Sequence, residues 1–532
     1  HLESRVARRE DGPAMTLPAT GSCTIAGLLG FWSRTTPDAP FIVFDPLDGD
    51  PQEFSYRDVW VLAVRAAEVL SSLGLRRGER FAVVLGNRPE FFAYWFGAAL
   101  TGTVFVPVNP ASTADDLQYY FDHADCLAVV CAEDSRETVE NAWRGAHSAI
   151  IVAGRQTPAP HTSNAWRNPE ADSVSTDPLA IMYTSGTTSR PKGVVVTHAN
   201  YLSAGRTVAE QLRIRPDDRW LVVLPLFHAN AQYYCAMSAL VSGASMVIAA
   251  RFSASRWGDQ VRSHGVTLAS LFAAPIRMIL AAPVQPGDHV NWLRAVVFAQ
   301  SLTEQQLDQF ENRFSTTLLQ LYGMTETMAP PFMNPLYGRI DNATIGLPTA
   351  ANRARIVADD GSDVLPGESG ELLIGGVAGE TLMAGYLDDE QATAETMVDG
   401  WLRTGDLAER RSDGYVVFTD RAKDMIKRSG ENVAAAEVER VINTCPEVFE
   451  SAVIGVPDPL RDEAIKAFVV LQESSREVTE TDLIAFCART LPRGKVPDVI
   501  EFVADLPRTS VGKIRKQALR GTASAVHSET GH

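Results

Sequence analysis

Tyr183-Thr-Ser-Gly-Thr-Thr-Ser-Arg-Pro-Lys-Gly-Val-Val-Val-Thr-His198 is the stretch whose reading decides the fold, because nowhere else does the chain concentrate phosphate-binding chemistry so densely. Thr184, Ser185, Thr187 and Thr188 offer hydroxyls, Gly186 lets backbone amides approach an anion closely, and Lys192 adds a positive charge. Such a loop suits a polyphosphate. Ser, Thr, Gly and Pro also build ordinary surface turns. Here, however, an apolar run from Leu179 to Tyr183 leads in and Val194 to Val196 leads out, which reads as strand, cradle, strand. The device differs from the loop in which Gly-x-x-x-x-Gly-Lys-Ser/Thr opens a helix, a pattern this stretch lacks.

Working outward, the sequence before the loop alternates between helix and strand periods. Ser55 to Asp58 reads as a capping box for a helix with Trp60, Val64, Ala67 and Leu70 on its apolar face, ending at Gly74. A strand at Phe81 to Leu85, a helix from Pro89 to Leu100, a strand at Val104 to Val106, a helix from Thr113 to His123 and a strand at Leu127 to Cys131 follow. This is β-α alternation with buried parallel strands. Gln156 to Ser175, rich in Pro, Thr, Ser and Asn, reads as an exposed connection into the loop.

Length and composition bound the answer further. A chain of 532 residues, 45% hydrophobic and 21% charged, has room for at least two domains with large cores. Its formal net charge of -17 repels nucleic-acid backbones and anionic membranes as main partners. Two long uncharged runs, Phe91 to Asp115 and Trp220 to Ala250, are broken by Gly, Pro, Asn and His, which suits buried helix-turn-strand units and not membrane spans. Residues 1–14 have three arginines and no apolar core, so they read as an extension or cloning remnant ahead of Met15, not a secretory signal. The six cysteines show no metal or redox spacing, as expected for free thiols in a reducing cytoplasm.

Beyond the loop, several motifs carry chemistry. Trp220 to His228 reads as a strand delivering His228 to a turn, with Asn230, Gln232 and Tyr233 opening an apolar helix as pocket candidates. Leu321-Tyr-Gly-Met-Thr-Glu326 offers a ring to stack on a base, a hydroxyl, and a carboxylate suited to Mg²⁺. Trp401 to Asp406 ends on a carboxylate able to accept from two vicinal hydroxyls, and Asp420-Arg-Ala-Lys-Asp424 follows. Gly367 to Ile374 reads as an antiparallel strand of a separate sheet after a turn at Asp359 to Gly361. Past Asp424 the period changes to that of an α+β domain, which closes with Leu506-Pro-Arg-Thr-Ser-Val-Gly-Lys513.

In this order the loop and these segments resemble the AMP-forming adenylating superfamily, which includes acyl-CoA synthetases, adenylation domains of peptide synthetases and luciferases. The likeness runs from about Ile25 to Leu519, and Arg461 to Val470 looks most like bacterial carnitine/crotonobetaine-type CoA ligases. The resemblance implies an α/β fold with a large N-terminal domain, two β-α sheets plus a β-barrel-like subdomain, over 15–420. A hinge at 421–423 with Lys423 as pivot and a small mobile α+β domain over 424–532 complete it. It implies catalytic roles for Lys513, Thr184, Glu326 and His228. ATP would be bound by Thr184, Ser185, Gly186, Thr187, Thr188, Lys192, Gln320, Tyr322, Gly323, Thr325, Asp406, Arg421 and Lys513, with Mg²⁺ on Glu326. His228, Asn230, Gln232, Tyr233 and Gln300 would line the acid pocket, and Ser429 and Gly430 would face the thiol acceptor.

Two positions depart from the family's pattern. Ser189 replaces a common loop Gly, and Val296 to Ser301, with Gln300, replaces a Gly-Gly-Ala-like turn. The expected activity is ATP-dependent ligation of a small polar or aromatic acid to CoA through an acyl-adenylate. A carrier-protein phosphopantetheine presents the same thiol arm as CoA. Activation of nitrite for aryl-amine diazotisation in secondary metabolism, and nucleotide binding without catalysis, are the other readings. A homodimer is compatible with such a chain.

Overall fold

The computed structural model describes residues 23–146, 149–154, 173–184, 190–428, 431–458, 461–472, 478–509 and 513–521. The expected alternation yields two large, mainly parallel sheets. One has seven strands in the spatial order Gly385–Tyr386, Gly193–Thr197, Pro178–Tyr183, Val104–Pro107, Arg80–Val84, Cys126–Cys131 and Ile150–Val152. The other has nine, with Leu318–Tyr322, Ala295–Ala299, Leu268–Phe272, Arg219–Val222 and Ser245–Ala249 at its centre. Strands buried on both faces explain the continuous apolar runs.

Helices between the two sheets fuse their inner faces into one core. Helix Tyr56–Ser72 begins with the expected capping box, Ser55 with Asp58. Its buried face differs from the one read in sequence: Val59, Ala63, Ala66, Ala67 and Leu70 are buried, while Trp60 and Val64 are half-buried. The reason is the close approach of helix Pro89–Thr101, where a Cβ on Gly97 would stand 2.9 Å from the Ala66 methyl. Small residues win the contact over large ones.

Both long uncharged runs resolve into short elements. The first is helix Pro89–Thr101, Gly102 at φ 70°, and strand Val104–Pro107. The second is strand Arg219–Val222, a π-helical turn Asn230–Ala236, helix Met237–Ser242 and strand Ser245–Ala249. The simple helix expected after His228 is thus replaced at its start by wider π geometry, which recurs at functional sites. Among the described residues no helix is long and apolar enough to cross a membrane, and all six cysteines are free thiols.

A third, antiparallel sheet holds Arg353–Val357, Ser369–Gly375, Trp401–Arg410, Met397–Val398 and Val416–Arg421. The turn Ala422–Asp424 leads from its last strand into the C-terminal sheet, built on the long hairpin Val448–Asp458 and Asp462–Leu471. Helices Ala435–Ile442 and Glu480–Ala488 cover this sheet, the second capped by Thr479 with Asp482 as the sequence suggests. Asp420 stitches the junction, accepting from the backbone N–H of Ala436 at 3.1 Å near the start of the first helix.

Candidate active site

The loop candidates Ser185, Gly186, Thr187 and Thr188, with Ser189, lie outside the described residues, as do Ser429 and Gly430. The loop's two ends are well defined. Tyr183 and Gly193 pair across the antiparallel strands, and the Thr184 N–H donates to the Lys192 carbonyl at 2.9 Å. Helix Ala114–His123 grips both ends: the Tyr119 hydroxyl donates to the Pro191 carbonyl at 2.8 Å, and His123 Nδ1 lies 2.7 Å from the Tyr183 hydroxyl. These aromatic side chains were not singled out in sequence, where nothing tells a loop clamp from an amphipathic helix face.

Strand Gly385–Tyr386 runs beside strand Gly193–Thr197 as the outermost member of the seven-stranded sheet. This places the Tyr386 ring under the Lys192 ammonium, 4.8 Å from its centroid, while the Tyr386 hydroxyl donates to Glu326 Oε1 at 3.0 Å. Tyr386 therefore touches both the cation of the phosphate loop and the expected metal ligand, and sequence reasoning missed it. Glu326 is buried in the short turn Thr325–Thr327; desolvation raises its pKa, opposed by its hydrogen bonds and by Arg421 and Lys513.

Asp406 sits within strand Trp401–Arg410 and is 4% exposed. It accepts from the Tyr322 hydroxyl at 2.6 Å and pairs with Arg421 Nε at 3.3 Å. The stacking and ribose candidates are thereby joined in one unit, and burial followed by the Asp406 charge keeps the Tyr322 phenol protonated. Gln320 lies two residues upstream on strand Leu318–Tyr322 with a buried Oε1 that has no hydrogen-bond partner among the described residues. Gly323 is tightly enclosed, since a Cβ there would meet the Tyr234 hydroxyl at 2.3 Å.

Lys513 arrives from the far end of the chain, its Nζ 5.6 Å from the centroid of Phe272. Burial first and Arg421 second lower its pKa, while Asp406 and Glu326 act the other way. His228 packs on Phe227, and burial together with the nearby Lys513 pushes its pKa down to about 3, so its ring is neutral at ordinary pH. His228, Glu326, Asp406, Arg421 and Lys513 are thus electrostatically coupled across sequence distances that no local pattern encodes.

The pocket candidates separate. Asn230 Oδ1 accepts from the Ser270 hydroxyl at 2.8 Å. Gln232 is fully buried, its Oε1 accepting from Tyr201 at 2.5 Å and its Nε2 donating to the Leu226 carbonyl at 2.6 Å, so it braces the π-helical turn. Tyr233 is likewise fully buried, edge-on to Tyr201. Gln300 follows strand Ala295–Ala299 with φ 77°, keeping the left-handed backbone that the usual glycine would supply. A cavity of about 320 Å³ adjoins this region, lined in part by Asn87, Phe227, Phe252, Pro275 and Arg508.

Among the described residues no group of three or more His, Cys, Asp or Glu side chains could cage a metal. A single buried carboxylate near a lysine fits Mg²⁺, which is usually held by one or two carboxylates plus substrate phosphates. Tyr322, Asp406 and Arg421 as one unit, buried Glu326 and the late Lys513 come together beside the ends of the loop stretch, and the chain is an AMP-forming ligase of the acyl-CoA synthetase type, which uses ATP, Mg²⁺ and CoA.

The comparisons agree. Residues 31–387 match the model of the AMP-binding enzyme family and residues 437–513 that of the AMP-binding enzyme C-terminal domain, and the chain belongs to this family. It is 36% identical over 501 residues to the crotonobetaine/carnitine–CoA ligase of Salmonella enteritidis PT4 (strain P125109), covering 91% of this chain and 96% of that protein. Among solved structures it is similar to ATP-bound MatB from Rhodopseudomonas palustris, at TM-score 0.82 and 27% identity over 94% of this chain and 99% of that one. It is also similar to a benzoate CoA ligase from Burkholderia xenovorans LB400, at TM-score 0.83 and 26% identity over 94% and 100%.

Proposed function

We propose that this ligase activates a small polar or aromatic carboxylic acid and passes it to CoA. The observation that carries the substrate reading is the Asn230–Ser270 pair. Polar side chains two residues beyond His228 in sequence suit a polar or aromatic acid better than a long aliphatic chain, since an apolar chain offers them no hydrogen bond. Gln300, half-buried after strand Ala295–Ala299, is a further polar candidate for the acid pocket. Relatives named for crotonobetaine, carnitine and benzoate are in line with this class.

In the first half-reaction a carboxylate oxygen bonds to the α-phosphorus of ATP as the bond to the bridging oxygen breaks, giving acyl-adenylate and pyrophosphate. The carboxylate is a weak nucleophile, so positioning and charge neutralisation carry the step. Lys513 bridges the incoming carboxylate and the α-phosphate, while Lys192 steadies the pyrophosphate. Glu326, its carboxylate fixed by the Tyr386 hydroxyl, would hold Mg²⁺, which when bound would supply further neutralisation of the phosphates. Asp406 accepts the ribose hydroxyls, with Arg421 and Tyr322 beside it. Rotation about Lys423 then withdraws Lys513, and the thiolate sulfur attacks the acyl carbon, expelling AMP. His228, uncharged, borders the acyl carbon without attracting the carboxylate away from Lys513. The cavity beside Phe227 offers an approach for the thiol arm.

The test is acid-dependent exchange of pyrophosphate into ATP across short polar, aromatic and long-chain acids, with nitrite included, followed by thioester formation with CoA or a phosphopantetheinyl carrier. Exchange with small polar or aromatic acids and transfer to CoA is expected. Exchange confined to long-chain acids or to nitrite, or transfer only to a carrier, would overturn the reading.

A further inference from the structure

A buried ionic chain connects the large domain to the turn that carries Lys513. Arg277 lies on helix Ala273–Ala281, which starts immediately after Phe272, the residue beneath the Lys513 ammonium. Its Nη1 donates to Glu450 Oε1 at 2.5 Å and its Nη2 to the Ser301 carbonyl at 2.9 Å, beside Gln300. Glu450 belongs to strand Val448–Asp458 of the C-terminal sheet and is 5% exposed. Its other oxygen, Oε2, accepts from Arg508.

Arg508 and Lys513 stand on the two arms of one turn. Arg508 bridges to Ile514, the Thr509 N–H donates to the Lys513 carbonyl at 2.7 Å, and the Arg515 N–H donates to the Pro507 carbonyl at 2.7 Å. The Lys513 N–H in turn donates to Thr509 Oγ1 at 3.2 Å. Fixing Arg508 therefore fixes the backbone from which the Lys513 side chain springs. One carboxylate joins two guanidiniums from opposite sides of the seam; the largely exposed Asp505 also lies 3.6 Å from Arg508, and Glu439 adds negative charge near Arg277. Breaking a buried pair by removing one partner strands the other charge, which is why such links define geometry more sharply than surface pairs do.

We propose that Glu450 is a positioning residue: through Arg277 and Arg508 it pins the Lys513 turn to the large domain for adenylate formation, and the link opens when the small domain turns for thioester formation. The inference rests on the reading that Lys513 serves the first half-reaction. Two features favour a link that opens and closes. The Arg277–Glu450 pair joins side chains of the two domains, and Asp420 ties those domains beside the turn Ala422–Asp424, so the ionic chain acts away from the pivot.

The experiment measures both half-reactions in the full-length enzyme carrying Glu450→Gln, Arg277→Gln, both together, or Lys513→Ala, with the melting temperature of each. Glu450→Gln is expected to slow adenylate formation on the order of 30- to 100-fold, while thioester formation from supplied acyl-adenylate stays within about twofold of wild type. Arg277→Gln should give the same split, and the double variant should be no slower than the worse single one, as partners in one link require. Equal losses in both half-reactions, additive losses in the double variant, or wild-type adenylation in Glu450→Gln would overturn the link. Lys513→Ala separates the two ideas: if it adenylates normally the underlying reading fails, whereas if it is inactive while Glu450→Gln adenylates at the wild-type rate, the link alone fails.

Discussion

Asp406 and Arg421 face each other directly across the antiparallel ladder of strands Trp401–Arg410 and Val416–Arg421, with Arg421 Nε 3.3 Å from Asp406 Oδ1. The Tyr322 hydroxyl donates to the other carboxylate oxygen at 2.6 Å. A carboxylate held from two sides keeps its orientation, and its charge is what makes its hydrogen bonds strong. Asp406→Asn keeps the shape and removes the charge. Loss of charged hydrogen bonds worth about 1.5–3 kcal/mol predicts a fall in kcat/KM for ATP of roughly 10- to 100-fold. Steady-state kinetics with ATP varied at saturating acid would show it, and an unchanged kcat/KM would remove Asp406 from the nucleotide site.

Tyr386 makes two contacts that one substitution can separate. Tyr386→Phe keeps an aromatic face under Lys192 and deletes only the donor to Glu326. If that hydrogen bond orients the metal-binding carboxylate, the half-saturating Mg²⁺ concentration rises about tenfold, matching a loss near 1.5 kcal/mol. Melting temperature should move little. A Mg²⁺ titration of pyrophosphate exchange that overlays wild type would show that the hydroxyl serves only packing.

What the sequence made legible was what local chemistry encodes. Ser55 with Asp58, and Thr479 with Asp482, announce helix starts that the structure reproduces, and the apolar strands around the phosphate loop fall where their period places them. The relationships between segments were not legible. Tyr386 lies on a two-residue strand whose meaning comes from pairing with Val194, nearly two hundred positions away, a length too short to show any period. Gln232 reads as a residue of an ordinary helix, and the structure places it buried on a π-helical turn, a geometry no sequence period announces. Glu450 and Arg277 look like ordinary charges, because nothing in sequence reveals that both are buried against each other.

Gln300 adopts φ 77°, a backbone state that disfavours any side chain by about 1 kcal/mol. Gln300→Gly should therefore raise unfolding stability by up to about 1 kcal/mol in urea titrations, whereas Gln300→Ala should not. If the amide also contacts the acid, the Gly variant will raise KM for the acid while leaving KM for ATP in place. A stabilised variant with unchanged KM for the acid would assign Gln300 a purely backbone role.

His198 gives the clearest dependence of stability on pH. It opens helix His198–Leu212 and is 1% exposed, its Nδ1 accepting from the Ile25 N–H at 3.3 Å. Burial lowers its pKa to about 4, with Asp177 opposing the shift and Arg77 adding to it. The unfolded chain, with an ordinary value near 6.5, takes up a proton between these limits while the folded chain does not. Stability is therefore full above about pH 6.5 and declines as the pH falls toward 4, by a total on the order of 3 kcal/mol from this residue. His228, lowered to about 3, pulls in the same direction. Urea unfolding at pH 7.5, 5.5 and 4.5 should show wild type losing more stability on acidification than His198→Gln, which keeps an acceptor for Ile25 but cannot titrate. Parallel curves for the two proteins would mean that the imidazole titrates normally and that the acid sensitivity arises elsewhere.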